Sequence, residues 1–480
     1  MSARISTGDG NLDEILCGGF PKGSLIVIAG NPGVGKSIFS AQFIYRGIIS
    51  ESENGVYVSF AENRETFMTN MRGLGFAFEK LEAEGRFKFL DMIALKETGI
   101  PTVLESILKE IRSVNAKRLV IDSFSAMAQA FKEPIEARIV IHTVLGNIVR
   151  QMGCTSLIIA EVPINKPIIG FGMEEFVADG VIILRSLEFE GRLLRELEII
   201  KMRGTPIKER KLLFTLKEGF RAFTPFKLKT LKGFRRFQPI PDPPEKFSTG
   251  SEDLDDLLGG GYRRGSVVLL EIGENVSYNE YHLIVAPTAW NFLTQGRGVT
   301  VFPSLGIDSE IVKRVTLRGG ITEDEMARLV RVCELRFPGS HEPSPSYIVS
   351  FKGKNLVIDY AKYVETEEEI IRRTGKPILR IMSAETLMSI SDSFGGTTSS
   401  KIYLLDSLRI RKLNNLSIIL LKPGSEPFNK AIAAAAETHL KVVRKHGTLL
   451  LYGMKPSTKI HALEMNVSEG YPKPKLTPIM

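Results

Sequence analysis

Eight consecutive residues, Gly30-Asn31-Pro32-Gly33-Val34-Gly35-Lys36-Ser37, constrain this chain more than any other stretch. They fit G-x-x-x-x-G-K-[ST] and stand between an apolar run, Ser24–Ala29, that reads as a strand and a segment, Ile38–Tyr45, that reads as a helix. A strand feeding a glycine loop that opens a helix aims backbone N–H groups and the positive end of the helix dipole at one point, which suits a polyphosphate. Lys36 then reaches the β- and γ-phosphates and Ser37 holds Mg²⁺. The expected nucleotide contacts are Gly30, Asn31, Pro32, Gly33, Val34, Gly35, Lys36, Ser37 and Ile38.

At 480 residues the chain exceeds one ordinary core and calls for two or three domains. A 43% hydrophobic and 25% charged composition is that of a globular protein, and no apolar run reaches the length of a bilayer span. The N-terminus lacks a signal-peptide core, so a cytoplasmic location without membrane contact is expected. Cys17, Cys154 and Cys333 are far apart and lack neighbouring histidines, which argues against disulfides and zinc and reads as three structural thiols. The net charge of +8 permits nucleic-acid binding without requiring it. Its densest cluster is Lys227, Lys229, Lys232, Arg235 and Arg236, interleaved with Phe226, Phe234 and Phe237, and it runs into the proline-rich stretch Gln238–Pro244. Such a stretch cannot continue a helix or pair centrally in a sheet, so residues 226–245 read as a basic linker, either packed across a domain surface or bound to a phosphate backbone.

An internal repeat divides the chain. Ser6-Thr7-Gly8, Leu12–Leu16 and Gly18-Gly19-Phe20 recur at constant spacing as Ser248-Thr249-Gly250, Leu254–Leu258 and Gly260-Gly261-Tyr262. The expected domains are residues 1–225 and 246–480, a tandem duplication. In the second copy Ser277-Tyr278-Asn279 falls opposite Gly35-Lys36-Ser37, and a tyrosine cannot replace a phosphate-binding ammonium. The second copy is therefore expected to keep the fold and lose the nucleotide.

Within the first copy, Gly55–Phe60, Arg118–Asp122 and Thr155–Ala160 read as buried strands between amphipathic helices, implying a mainly parallel sheet covered on both faces. Asp122 ends one of these strands, where a carboxylate at the C-terminal edge of the sheet would hold Mg²⁺ together with Ser37. A simple helix cap is the other reading of Asp122. The comparable strand of the second copy, Ile378–Met382, runs into Ser383, so this acid is lost as well.

Arg4–Gly8, Leu12–Leu16, Gly18–Ser24, the phosphate loop, Glu174–Leu184 and Lys201–Thr205 together resemble the KaiC branch of the RecA-like ATPases over nearly all of residues 1–225. The tandem layout resembles KaiC too, while the degenerate second half resembles gas-vesicle regulators and archaeal RecA paralogues. The resemblance implies two RecA-like α/β domains, ATP with Mg²⁺ as ligands, ring hexamers with ATP at subunit interfaces, and Lys201 and Arg203 reaching the γ-phosphate held by the neighbouring copy. Two adjacent glutamates follow the second strand in this family, the first orienting the attacking water. Here Ala61 precedes Glu62, so Glu62 takes that role or turnover is slow. The expected protein is an oligomeric ATPase whose second domain serves assembly or recognition of a protein partner. A regulatory ATP-binding module with little hydrolysis and a single-stranded DNA-binding protein are the alternatives.

Overall fold

Side chains that alternate along short aliphatic runs are divided between two apolar layers, and that division builds the architecture. In β1 (Leu25–Gly30) Ile26 and Ile28 pack into one cluster with Phe39, Phe43 and Ile48, while Leu25, Val27 and Ala29 face the other side of the sheet. A strand buried on both faces belongs in the interior of a parallel sheet. The structure, a computed structural model, describes residues 3–93, 100–128, 152–162, 178–231, 233–335, 345–352, 355–386, 406–423 and 428–480. Lys232 and Glu174–Val177, which the sequence singled out, lie outside the described residues.

Contacts divide the chain into two compact units, Met1–Pro225 with His446–Thr448 and Pro478–Met480, and Phe226–Lys445 with Leu449–Thr477. The first is built on β1, β2 (Gly55–Ser59), β3 (Phe87–Asp91), β4 (Arg118–Asp122), β5 (Thr155–Glu161), β6 (Gly180–Phe189), β7 (Arg192–Met202), β8 (Lys211–Thr215) and β9 (Arg221–Phe223). They form one sheet in the order β9-β8-β7-β6-β1-β5-β4-β2-β3. The six strands from β6 to β3 are parallel, and β7, β8 and β9 continue the sheet antiparallel. Helix α1 (Lys36–Glu51) covers one face and α3 (Ile100–Ser113) the other, with α2 (Arg64–Gly73) following β2.

The second unit repeats this plan with β10 (Ser266–Ile272), β11 (Val299–Phe302), β12 (Val330–Leu335), β13 (Ile348–Phe351), β14 (Leu379–Ser383), β15 (Leu416–Leu421), β16 (Thr438–Lys445), β17 (Thr448–Lys455), β18 (His461–Asn466) and β19 (Lys473–Pro478). Its order, β13-β12-β11-β14-β15-β10-β16-β17-β18-β19, is that of the first sheet with β13 added at one edge. The expected fold, tandem RecA-like α/β units with mainly parallel sheets covered by helices, is the one observed. Register makes the correspondence residue by residue. Gly55 pairs with Arg118 as Val299 pairs with Leu379, so Asp122 at the end of β4 matches Ser383 at the end of β14. Likewise α4 (Tyr278–Thr294) starts at Tyr278 as α1 starts at Lys36.

The basic-aromatic run packs in part. Phe237 is buried against Trp290 and Tyr471, and Arg236 forms a bidentate pair with Glu325, whereas Phe234 is exposed. Cys154 and Cys333 are buried core thiols, with Cys154 pushed up to about 12 by burial; Cys17, in contrast to the sequence expectation of a structural thiol, is exposed. No helix among the described residues is long and apolar enough to cross a membrane.

Candidate functional site

The loop between β1 and α1 needs glycine where it turns. Gly35 has φ +102° and a Cβ there would lie 2.6 Å from Leu216 Cδ1, whereas Gly33, at φ +78°, faces open space. Gly35 is also the N-cap of α1, so no side chain caps the first N–H groups of this sixteen-residue helix. Asn31 fastens the loop by donating from Nδ2 to the Val162 carbonyl at 2.9 Å. An uncapped helix start at the C-terminal edge of a parallel sheet is a place for an anion supplied from outside the chain.

Three side chains meet there. Lys36 donates from Nζ to the carbonyls of Gly30 (2.7 Å) and Asn31 (2.8 Å). Burial holds its ammonium below the usual lysine range, opposed by the charges of Glu161 and Asp122. Ser37 Oγ donates to Asp122 Oδ2 at 2.6 Å, and Tyr57 OH donates to the same oxygen at 2.6 Å. The carboxylate and hydroxyl that the sequence nominated for Mg²⁺ are thus in contact although 85 residues apart.

Glu62 lies in the turn after β2, its backbone N–H bonded to Ser59 Oγ (2.9 Å) and its carboxylate accepting from Asn70 Nδ2 (2.6 Å). Partial burial raises its pKa, the Asn70 hydrogen bond opposes that, and the charge of Asp122 adds to it. Ala61 beside it is exposed and offers no carboxylate.

Lys201 and Arg203 do not join this cluster. β6 runs parallel to β1 with Gly180 beside Ile26 and Leu184 beside Gly30, and β7 returns antiparallel so that Lys201 lies opposite Val181. Arg203 donates its backbone N–H to the Asp179 carbonyl and pairs with the Asp179 carboxylate, which also accepts the Leu25 N–H. Arg203 is thereby fixed at the level of Leu25, five residues or about 17 Å along the strand from Gly30. Lys201 Nζ donates to the Ala178 carbonyl at this same far edge.

Two neighbours escaped the sequence reading. Tyr57 sat in an apolar strand run and its hydroxyl gave no signal; only the pairing of β2 with β4 brings it to Asp122. Glu161, which ends β5 beside Gly30, acts on the Lys36 charge. A carboxylate terminating an apolar strand was the available clue, the same one that exposed Asp122.

The second unit carries none of these groups at the matching positions. Tyr278 and Asn279 begin α4, and the Glu280 carboxylate accepts the Ser277 N–H at 2.7 Å while pairing with Arg444. This helix start is closed by the chain's own carboxylate.

Residues 5–221 match the KaiC family of ATPases, and residues 236–313 match GvpD basic region 2. The chain belongs to the KaiC-like group of RecA-type P-loop ATPases. This KaiC-like protein is an ATP-binding protein by family. It is similar to protein GvpD2 of Halobacterium salinarum, at 26% identity over 493 residues covering 95% of this chain and 93% of the relative. The circadian clock oscillator protein KaiC of Synechococcus elongatus is 31% identical over 275 residues, 56% of this chain and 51% of the relative, so the match spans about half the length of KaiC. Among solved structures, the KaiC-like protein PH0186 of Pyrococcus horikoshii is 34% identical, with a TM-score of 0.43, over 47% of this chain and 100% of that one.

Proposed function

We propose that the first unit binds ATP with Mg²⁺ and hydrolyses it at interfaces between copies of this chain, and that the nucleotide state controls assembly or the docking of a partner protein on the second unit. The observation that carries this reading is the convergence of Lys36, Ser37 and Asp122 at an α1 start that no side chain caps. The loop N–H groups cradle the phosphates and Lys36 exchanges its two carbonyl partners for phosphate oxygens. Ser37 Oγ and the Asp122 carboxylate are the hard oxygen donors that suit Mg²⁺, whose part is to neutralise charge on the phosphate oxygens. Tyr57 keeps the Asp122 carboxylate turned toward Ser37. Glu62, its proton affinity raised, orients the attacking water. The far-edge position of Lys201 and Arg203 supports their service to a neighbouring copy's nucleotide, a geometry that requires head-to-tail assembly.

One observation favours a second reading, a regulatory module that binds ATP and hydrolyses almost none. Ala61 leaves the expected first acid missing, and Asn70 already engages the carboxylate of Glu62. A light-scattering mass with and without ATP, paired with phosphate release from the same sample, tests both. Turnover lost in Lys36→Ala and Asp122→Asn supports the enzyme; an ATP-dependent mass change without phosphate release supports the module; neither response refutes both.

A further inference from the structure

Away from the phosphate loop, the second unit has a cavity of about 320 Å³ between α4, the end of α5 (Ser309–Arg318) and the segment that carries Leu228–Leu231 and Phe234. It adjoins a smaller one of about 240 Å³, and Asn279, Val315 and Arg318 line both. The walls are mostly apolar, with Trp290, Leu283 and Met465 among them. Two polar groups stand out, His282 on the larger cavity and Tyr278 on the smaller. The Tyr278 hydroxyl and His282 Nδ1 are both out of contact with water and have no hydrogen-bond partner, and the two rings lie 4.0 Å apart between centroids. Burial pushes the His282 imidazolium down to about 3, so the ring is neutral at physiological pH. Around the rim stand Lys229, Arg314 and Arg318, none of them paired with a carboxylate among the described residues. Leu228 and Phe234 are 55% and 70% exposed at the same rim.

We infer that this groove binds single-stranded nucleic acid, with one base in the cavity and the flanking phosphates on Lys229, Arg314 and Arg318. An aliphatic or phenyl anchor of an acidic peptide would fill the larger cavity yet leave the His282 nitrogen there and the Tyr278 hydroxyl beside the adjoining cavity unsatisfied, and a buried polar group without a partner is costly. A heteroaromatic base brings ring donors and acceptors for them and for the Asn279 amide. The cations are spread along both cavities rather than gathered at one point, which matches a backbone of several phosphates better than a free mononucleotide. An exposed aromatic beside a basic groove is the usual stacking platform for the next base. The inference is independent of the ATP reading, because none of these residues belongs to the first unit.

The test is fluorescence anisotropy of a labelled oligothymidylate of about 15 nucleotides, titrated with the full chain over a range of salt. Binding should weaken as salt rises, and Arg314→Glu/Arg318→Glu should weaken it tenfold or more and flatten the log–log salt slope by about 1.4, the release from two single-strand phosphates. Phe234→Ala should weaken binding at an unchanged slope. Should the charge reversals unfold the second unit, Arg314→Gln/Arg318→Gln must show the same direction. Lys109→Glu/Arg112→Glu, on α3 of the first unit, should bind as wild type. The inference is overturned by an absence of binding, by equal losses in the α3 control, by displacement with poly-glutamate at equal charge, which marks an acidic-peptide site, or by equal competition from thymidine monophosphate, which marks a free-nucleotide site.

Discussion

Removing Arg203 tests the shared-site geometry most directly. The arginine is held at the level of Leu25, five residues or about 17 Å along the sheet from Gly30, so its own Lys36 lies out of its reach and a role in catalysis has to be exercised on a neighbour. Arg203→Ala should leave ATP affinity nearly intact and lower turnover by roughly 10³ to 10⁵, the range for arginine fingers. Lys36→Ala should abolish binding. Each variant alone is then silent against the wild-type rate, which makes mixing informative. In a closed ring assembled at random from equal amounts, about one interface in four joins an intact loop to an intact arginine, so phosphate release should recover to roughly a quarter of wild type. The assay is steady-state phosphate release after subunit exchange, with exchange proven by light scattering or tagged subunits. No recovery in fully exchanged mixtures would refute the trans arrangement. Activity retained by Arg203→Ala alone would refute any catalytic role for this residue.

Four further outcomes are expected. With Glu62 orienting the attacking water, Glu62→Gln should abolish turnover and Ala61→Glu leave it unchanged; a gain of roughly 10² to 10⁴-fold in Ala61→Glu would show that the site lacks its water-orienting acid and favour the regulatory module. Calorimetry should count one nucleotide per chain, and ligand at about a hundred times its dissociation constant should stabilise only the first unit, by about 2.7 kcal/mol; two similar sites would contradict the closed α4 start. Tyr57→Phe removes a hydrogen bond to a charged oxygen and should cost the first unit about 1.5–3 kcal/mol while raising the Mg²⁺ concentration needed for half-maximal turnover; an unaltered Mg²⁺ requirement would reduce Tyr57 to a core residue. Burial raises the Asp9 carboxyl to about 6, so the folded state holds this proton more tightly than the unfolded chain, and the stability it contributes is full below about pH 4 and lost as pH rises through 6. Asp9→Asn should therefore gain on wild type by up to roughly 3 kcal/mol between those pH values in paired melts, and parallel pH profiles would disprove it.

What the sequence determined by itself is whatever local chemistry or strict spacing encodes. Strand, glycine loop and helix start are contiguous from Leu25 to Glu51, and glycine, lysine and serine at those positions answer local demands of turn geometry and charge, so that segment was legible without neighbours. The duplication was legible because its spacing is constant through the first turns and the loop, whereas the match of Asp122 with Ser383, at a different offset, comes from the strand registers of the two sheets. Asp122 was singled out because it ends an apolar strand at the sheet edge beside the phosphate loop, and the structure brings it to Ser37. Only the tertiary structure decided the rest. The Tyr57 contact to Asp122 depends on which strands are neighbours, and the placement of Lys201 and Arg203 depends on β7 turning back along β6. The groove around His282 arises where a linker segment, two helices and β18 come together from stretches more than 200 residues apart. Side-chain periodicity tells a strand which face is buried, but strand order and direction are settled by long-range packing, and these decide which distant groups share a site.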